Sequence, residues 1–141
     1  MLRCSRFIQN NFSPPNVGVV GPLHKGGNED ILTYDFVHRT HINIFGYYYP
    51  RVFTDWWADN WISRVYGTQR TLKLPSVRLL HTLEVGQRYT VKSSREKYLR
   101  DQLDEDRITL SRCVLVCSTE EHSVYFLNCH FDVWFLILLH V

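Results

Sequence analysis

The sequence has 141 residues, of which 45% are hydrophobic and 14% aromatic, and its formal net charge is +2 at pH 7. This length and composition favour one globular domain over a disordered chain or two domains. Acidic and basic residues are interleaved, which argues against a nucleic-acid or membrane-surface partner. The apolar stretch 131–141 is too short to span a bilayer and contains Asp132, so the sequence predicts no clear membrane segment.

The first segment of the chain is interrupted by turn-forming residues. Residues 1–16 are interpreted as an N-terminal extension, because the Ser-Pro-Pro-Asn run at 13–16 breaks regular structure. Residues 17–21 are apolar and predict a short buried strand, which Pro22 is expected to end.

Two helices are predicted in the next segment. Thr33 is placed to cap a helix over residues 34–45, and Gly46 is expected to end it. After an aromatic loop at 47–50, Thr54 or Asp55 can cap a second helix that runs to Tyr66 and stops at Gly67. Three apolar residues fall at i, i+4 and i+8 on this second helix and predict a buried stripe: Trp57, Trp61 and Val65.

The second half of the sequence predicts two strands, a charged helix and an apolar tail. Residues 70–74 and 77–83 are expected to form strands on either side of a Pro-Ser turn. Ser93 and Glu96 have capping-box spacing and predict a helix that ends near Asp106. We place one domain at 17–112. Residues 113–141 form an apolar tail, which is either two core strands or sequence outside the domain.

The cysteines do not form a recognisable metal or redox motif. There is no Cys-x-x-Cys pair, and the Cys113/Cys117 spacing lacks the second pair that a zinc site needs. Free cysteine is usually a small buried residue, so Cys4, Cys113, Cys117 and Cys129 are interpreted as ordinary thiols.

The strongest local feature is the run Asp-Trp-Trp-Ala-Asp-Asn-Trp at 55–61. Aromatic faces stack on sugar rings, and a carboxylate such as that of Asp59 can accept a hydroxyl hydrogen bond or act as a general base. The alternative is structural, because Asp is favoured in a first helical turn and Trp at i, i+4 is ordinary core.

The sequence offers weaker evidence for metal-binding residues. His81 ends an apolar run and is more often structural at such a position, while His38 and His41 are interpreted as a polar helix face. The Asp-Glu-Asp run at 104–106 superficially matches an Asp-x-Asp metal motif, but its charged surroundings predict a solvated helix end.

The order of these features resembles the second half of metal-dependent GT-A glycosyltransferases. The matching runs are Gly-Gly-Asn at 26–28, Thr-Tyr-Asp-Phe at 33–36, Phe-Gly at 45–46, Tyr-Pro at 49–50, the tryptophan run at 56–62, Arg-Val-Tyr-Gly at 64–67 and Val-Arg-Leu-Leu-His-Thr at 77–82. The similarity covers about residues 17–82. It implies an α/β fold, the C-terminal acceptor-side half of a Rossmann-like GT-A domain.

The resemblance also implies roles for individual residues. Asp59 matches the acidic motif and would be the catalytic base, and His81 would complete the shell of a divalent metal, Mn or Mg. Four residues match the substrate-binding positions: Gly27, Asn28, Trp56 and Trp57. The partners would be a nucleotide-sugar and a glycan or protein acceptor, and the family works mostly in the secretory pathway.

Two features depart from the family pattern. The acidic motif often has two adjacent acids, whereas this chain has Asn60 second, and an amide cannot take a proton. The Asp-x-Asp strand and the nucleotide-binding units that precede it have no counterpart before Val17. We therefore expect a glycosyltransferase-like fragment that has little or no transfer activity by itself.

Two alternatives stay open at the level of sequence. One is a non-catalytic carbohydrate-binding or interaction module that uses Tyr47, Tyr48, Tyr49, Trp56 and Trp57 as an aromatic platform. The other is a non-functional fragment, since the apolar surface of a halved sheet favours aggregation.

Overall fold

The computed structural model describes residues 12–25, 28–54, 56–80, 95–118 and 133–135. In chain order they form strand β1 (Val19–Lys25), strand β2 (Phe36–His38), helix α1 (Thr40–Phe45), helix α2 (Ala58–Tyr66), strand β3 (Thr71–Leu80), helix α3 (Glu96–Ser118) and strand β4 (Val133–Phe135). The predicted α/β class is confirmed at this level, as a small mixed sheet with helices. Within the described ranges no helix is long and apolar enough to cross a membrane.

The sheet is mixed, with strand order β3-β1-β2-β4. Strand β1 pairs parallel with β3 and antiparallel with β2, and the short β4 pairs antiparallel with β2. A parallel pair needs a crossover connection, which is supplied here by β2, α1 and α2. The two helices of this crossover are thereby positioned against the sheet.

Strand β1 does not end at Pro22, contrary to the sequence prediction. Its register against β3 shifts at this point, with Pro22 opposite Leu74 and Leu23 opposite Arg78. Proline is tolerated at such an irregularity because the ladder is already interrupted there. The same shift lets β3 continue through Pro75 as one strand, where two were predicted.

The predicted helix over residues 34–45 is largely wrong. Residues 36–38 form β2 instead, because Val37 pairs with Val19 of β1 and is fully buried. The helix starts only at Thr40, so Thr33 does not cap it. Its predicted end is confirmed, since Gly46 has a φ of 78° and its amide donates to the Ile42 carbonyl at 2.7 Å.

Helix α2 begins at Ala58, later than a cap at Thr54 predicts, and Trp57 occupies the N-cap position. Its end is confirmed at Gly67, whose amide donates to the Ser63 carbonyl at 3.1 Å. The predicted stripe is also confirmed. Trp61 and Val65 are buried in the core and Trp57 packs against it.

Helix α3 is longer than predicted and runs through Asp106 to Ser118. Residues 113–118 are therefore helical, and a core strand is ruled out for them. The buried face of α3 follows the spacing of Leu99, Leu103, Asp106 and Leu110, with Asp106 as its polar member. One continuous core joins β1, β2 and the three helices and includes the following buried residues: Val17, Val19, Leu32, Val37, Phe45, Trp61, Ile62, Val65, Tyr66, Leu99, Leu103 and Leu110.

Candidate functional site

Asp59 lies in the first turn of α2 and is half-buried. Its Oδ1 accepts hydrogen bonds from the backbone amide of Asn60 at 2.8 Å and from the Asn60 Nδ2 at 3.2 Å. Its Oδ2 accepts no hydrogen bond from any of the described residues. A carboxylate is favoured at the start of a helix by the unpaired amides and the helix dipole. Asp59 is thus held in place through one of its two carboxylate oxygens.

A second carboxylate, Asp35, is almost completely buried at 3% exposure and interacts electrostatically with Asp59. Tyr48 Oη donates to its Oδ1 at 2.7 Å and Tyr49 Oη donates to its Oδ2 at 2.5 Å. Burial raises the pKa of Asp35 to about 6, although the two tyrosine hydrogen bonds oppose the rise and the Asp59 charge adds to it. We call Asp35, Tyr48, Tyr49 and Asp59 the Asp35–Asp59 cluster.

The two tyrosines of this cluster are fixed as hydrogen-bond donors. Burial, together with the charge of Asp35, holds the pKa of Tyr48 and that of Tyr49 well above the ordinary tyrosine value. Both hydroxyls therefore keep their protons and continue to stabilise the ionised form of Asp35.

Sequence reasoning missed Asp35 as a site residue. Its hydrogen-bonding partners lie 13 and 14 residues further along the chain. The one available signal was an acid inside an otherwise apolar segment, since such a residue needs partners when it is buried.

The third tyrosine of the loop is also tied to an internal carboxylate. Tyr47 Oη donates to Asp106 Oδ1 at 2.8 Å and to Oδ2 at 2.9 Å. All three rings are half-buried and pack against the core. The loop at 47–49 is thus held to the interior by its hydroxyls, and these hydroxyls are already engaged in internal hydrogen bonds.

The interpretation of residues 104–106 as solvated charge is wrong for Asp106. Asp104 and Glu105 are exposed, but Asp106 is only 4% exposed. Besides Tyr47, it accepts hydrogen bonds from Trp61 Nε1 and Gln102 Nε2, both at 2.9 Å. It faces the core because it falls on the buried side of a helix that extends beyond its predicted end.

The two tryptophans before Asp59 are half-buried, and Trp57 has an unusual backbone. Its φ is 82°, in the left-handed region that bulky residues rarely adopt. Its indole Nε1 is buried and finds no acceptor among the described residues. A strained backbone and an unpaired buried donor at one residue are typical of a functional position.

The histidines predicted to form a polar helix face are both buried, so that prediction is wrong. His38 lies in β2 and its Nδ1 is 2.8 Å from the Thr40 hydroxyl. His41 is fully buried, and its Nε2 donates to the Tyr48 carbonyl at 2.8 Å, which leaves Nδ1 to accept from Tyr66 Oη at 2.9 Å. Burial lowers the pKa of His41 to about 4, so the ring is neutral at physiological pH.

The remaining predicted site residues are not brought to the Asp35–Asp59 cluster by any contact described. Asn28 is exposed and hydrogen-bonds within its own loop, to the Asp30 amide and to His24 Nε2. Gly27 and His81 lie outside the described residues. Within the described ranges no three His, Cys, Asp or Glu side chains come together to hold a metal ion. The expected Mn or Mg site therefore has no support from these residues.

A separate open cavity of about 390 Å³ lies between the end of α2 and helix α3. Arg70 and Arg107 line it, but their guanidinium groups donate to backbone carbonyls of Ser13, Val17 and Arg64. Since these donors serve the fold and no carboxylate lines the cavity, the Asp35–Asp59 cluster is the better candidate site.

Comparisons of the chain with known protein families, with curated proteins and with solved structures find no significant match. The glycosyltransferase resemblance therefore depends on the residues of this sequence alone.

Proposed function

We propose that this chain forms the acceptor-side part of a GT-A-type glycosyltransferase, in which Asp59 takes the proton from the acceptor hydroxyl. The observation that carries the proposal is the position of Asp59. It is a half-buried carboxylate in the first turn of a helix. One of its oxygens is anchored, the other accepts no hydrogen bond from the described residues, and the carboxylate interacts electrostatically with the buried Asp35.

The geometry of Asp59 suits a general base. Such a base must be within hydrogen-bond reach of the proton it removes, and Oδ2 of Asp59 has no competing partner among the described residues. The acceptor oxygen then forms a bond to the anomeric carbon of the donor sugar, and the bond to the diphosphate breaks with its electron pair.

Asn60 has a positioning role in this proposal. The acidic motif of the family often has an acid at this place, and an amide cannot act as a base. The Asn60 Nδ2 instead donates to Asp59 Oδ1 and helps to hold the carboxylate. This contact supports the assignment of the base to Asp59.

Trp56 and Trp57 are the residues we propose to contact the acceptor sugar. Both lie directly before the start of helix α2, in whose first turn Asp59 lies, and both are half-buried. Sugar rings stack their C–H faces on aromatic rings. A sugar stacked on Trp56 or Trp57 would therefore have a hydroxyl near Asp59. A divalent metal, when bound, would neutralise the leaving diphosphate. By the resemblance, His81 would be one of its ligands.

The test separates acceptor binding from transfer. Binding is measured on this chain by tryptophan fluorescence with a panel of acceptor saccharides and no nucleotide. Transfer is measured with nucleotide-sugars and Mn²⁺ on the longest native polypeptide that contains residues 1–141. We expect Asp59→Asn to lower transfer at least ~100-fold and to change saccharide affinity less than about threefold.

The matched control is Asp101→Asn, which alters an exposed acid of α3 and should change neither measurement. Transfer by Asp59→Asn at the wild-type rate would show that Asp59 is not the base. An in-frame apolar strand ending in Asp-x-Asp, encoded upstream of Met1, would independently support the family assignment.

A carbohydrate-binding module without catalysis is the second candidate. The half-buried rings of Trp56 and Trp57 favour it, whereas the tyrosine hydroxyls are already engaged with Asp35 and Asp106. Saccharide binding that needs neither nucleotide nor metal, with no transfer in any nucleotide-sugar reaction, would favour this candidate over the enzyme.

A further inference from the structure

Helix α3 carries two free cysteines that no part of the proposed transfer reaction uses. Cys113 and Cys117 are both half-buried, and their Sγ atoms are 4.0 Å apart. Residues four apart on a helix lie on the same face, so the backbone itself holds the two thiols side by side. The pair lies near Tyr66 and Arg70, both of which interact electrostatically with Cys113.

The distance between the two sulfur atoms fits a shared metal ion better than a disulfide bond. With metal–sulfur bonds of about 2.3 Å, sulfurs 4.0 Å apart subtend an angle of about 120° at a shared metal ion. This is the angle of trigonal coordination, with two protein sulfurs and one ligand from solution. A disulfide instead needs a sulfur separation of about 2.05 Å, so the two sulfurs, now 4.0 Å apart, would have to approach by about 2 Å on a regular helix.

We propose that Cys113 and Cys117 form a two-sulfur binding site for a soft metal ion such as Cu(I). Thiolate ligands select soft ions, and Cu(I) accepts the low coordination number that two sulfurs and one small exogenous ligand provide. Binding forms two metal–sulfur bonds and releases one proton from each thiol. No electron is transferred, so the site requires no oxidant.

The surroundings of Cys113 disfavour its ionisation in the metal-free protein. Burial, with the neighbouring Cys117, raises the pKa of Cys113 to about 11, while the positive charge of Arg70 opposes the rise. A protonated thiol is a poor nucleophile and resists oxidation. Arg70 also offsets the negative charge that two thiolates bring to the bound state.

The experiment uses the full chain with Cys4 and Cys129 changed to serine, so that Cys113 and Cys117 are the remaining thiols. The reduced protein is titrated anaerobically against a chromogenic Cu(I) chelator. We expect one Cu(I) per chain, and at least a tenfold loss of affinity when Cys113→Ser or Cys117→Ser is added. Circular dichroism of each variant, with Cys113→Ala as a second substitution, verifies that the helix is retained.

The sharpest control keeps two thiols but separates them. Cys117→Ser combined with Leu115→Cys places thiols two residues apart, where they point to different sides of the helix, and Leu115 is exposed enough to be replaced. This variant should lose the tight binding. Equal affinity in this variant, or a parent protein that takes no Cu(I) from the chelator, would overturn the proposal. Loss of two hydrogen masses in air with no copper retained would also overturn it, in favour of a disulfide.

Discussion

The buried carboxylate of Asp106 joins α3 to α2 and to the tyrosine loop, and its removal tests how the domain is held together. Asp106 accepts hydrogen bonds from Tyr47 Oη, Trp61 Nε1 and Gln102 Nε2 at 2.8 to 2.9 Å. The Trp61 side chain is fully buried, whereas Tyr47 and Gln102 are half-buried. We predict that Asp106→Ala destabilises the domain strongly and that Asp106→Asn does so mildly.

The size of the loss in unfolding free energy depends on which hydrogen-bond donors lose their acceptor. In Asp106→Ala, the Trp61 Nε1 donor has no access to water, and an unpaired buried donor costs about 1–3 kcal/mol. Tyr47 and Gln102 can turn towards water, so they add a smaller amount, and the total is about 3 kcal/mol. In Asp106→Asn one oxygen can still accept from Trp61 and Gln102, which leaves a loss of about 1 kcal/mol for the missing charge.

The assay is urea unfolding, followed by far-ultraviolet circular dichroism and by tryptophan fluorescence. Asp104→Ala is the control, because Asp104 is exposed on the same helix, and its effect should stay within about 0.5 kcal/mol. If Asp106→Ala is no more destabilising than Asp104→Ala, the buried hydrogen-bond network is not part of the folded state in solution.

Ser63→Ala removes the hydroxyl that accepts from the buried Leu32 amide at 2.9 Å, and should lower the free energy of unfolding by about 2 kcal/mol in the same urea assay. Gly46→Ala puts a side chain at a φ of 78° and should cost about 1 kcal/mol, measured by thermal unfolding. The pKa of Asp35 is raised to about 6 in the folded state, so its contribution to stability is complete below about pH 4 and is lost as the pH rises through 6. Asp35→Asn should remove that fall from a pH series of unfolding free energies. The pKa of His41 is lowered to about 4, so its contribution is complete above about pH 6.5 and is lost as the pH falls through 4. His41→Gln should remove that loss.

Controls for these predictions come from the same chain. Ser111→Ala changes an exposed serine of α3 and should have little effect beside Ser63→Ala. Asp35 and His41 act in opposite directions between about pH 4 and 6. Relative to wild type, stability should therefore rise with pH in Asp35→Asn and fall with pH in His41→Gln. Parallel slopes in the two variants would contradict the burial of these groups.

Local signals in the sequence predicted the C-terminal ends of α1 and α2 and the buried stripe of α2. Gly46 and Gly67 end helices because their positive φ is intrinsic to glycine. The strand at Phe36–His38 could not be predicted, because its residues are compatible with a helix and only pairing with β1 decides between the two. The length of α3 was underestimated for a related reason: Asp106 looks like a solvated residue unless its distant partners are known.

The candidate site also contains residues that the sequence pattern indicates and one that it does not. Asp59 and its two tryptophans are neighbours in sequence, so the pattern alone could single them out as candidates. Asp35 was not identified, because its tyrosine partners come from a loop that folds back after α1. The finer assignment to a GT-A domain, with its metal and its donor, stays a prediction.

The two prolines of the β1–β3 ladder have a consequence for how the sheet opens. Pro22 and Pro75 fall at the same register shift, which divides the ladder into a first part at residues 19–22 paired with 71–74 and a second part at 23–25 paired with 78–80. The first part contains the fully buried Val19 and Val20, whereas the second part contains the exposed Lys25, Arg78 and Leu79. Amide hydrogen exchange should therefore show two independent opening reactions within one strand pair, with the second part exchanging while the first stays closed.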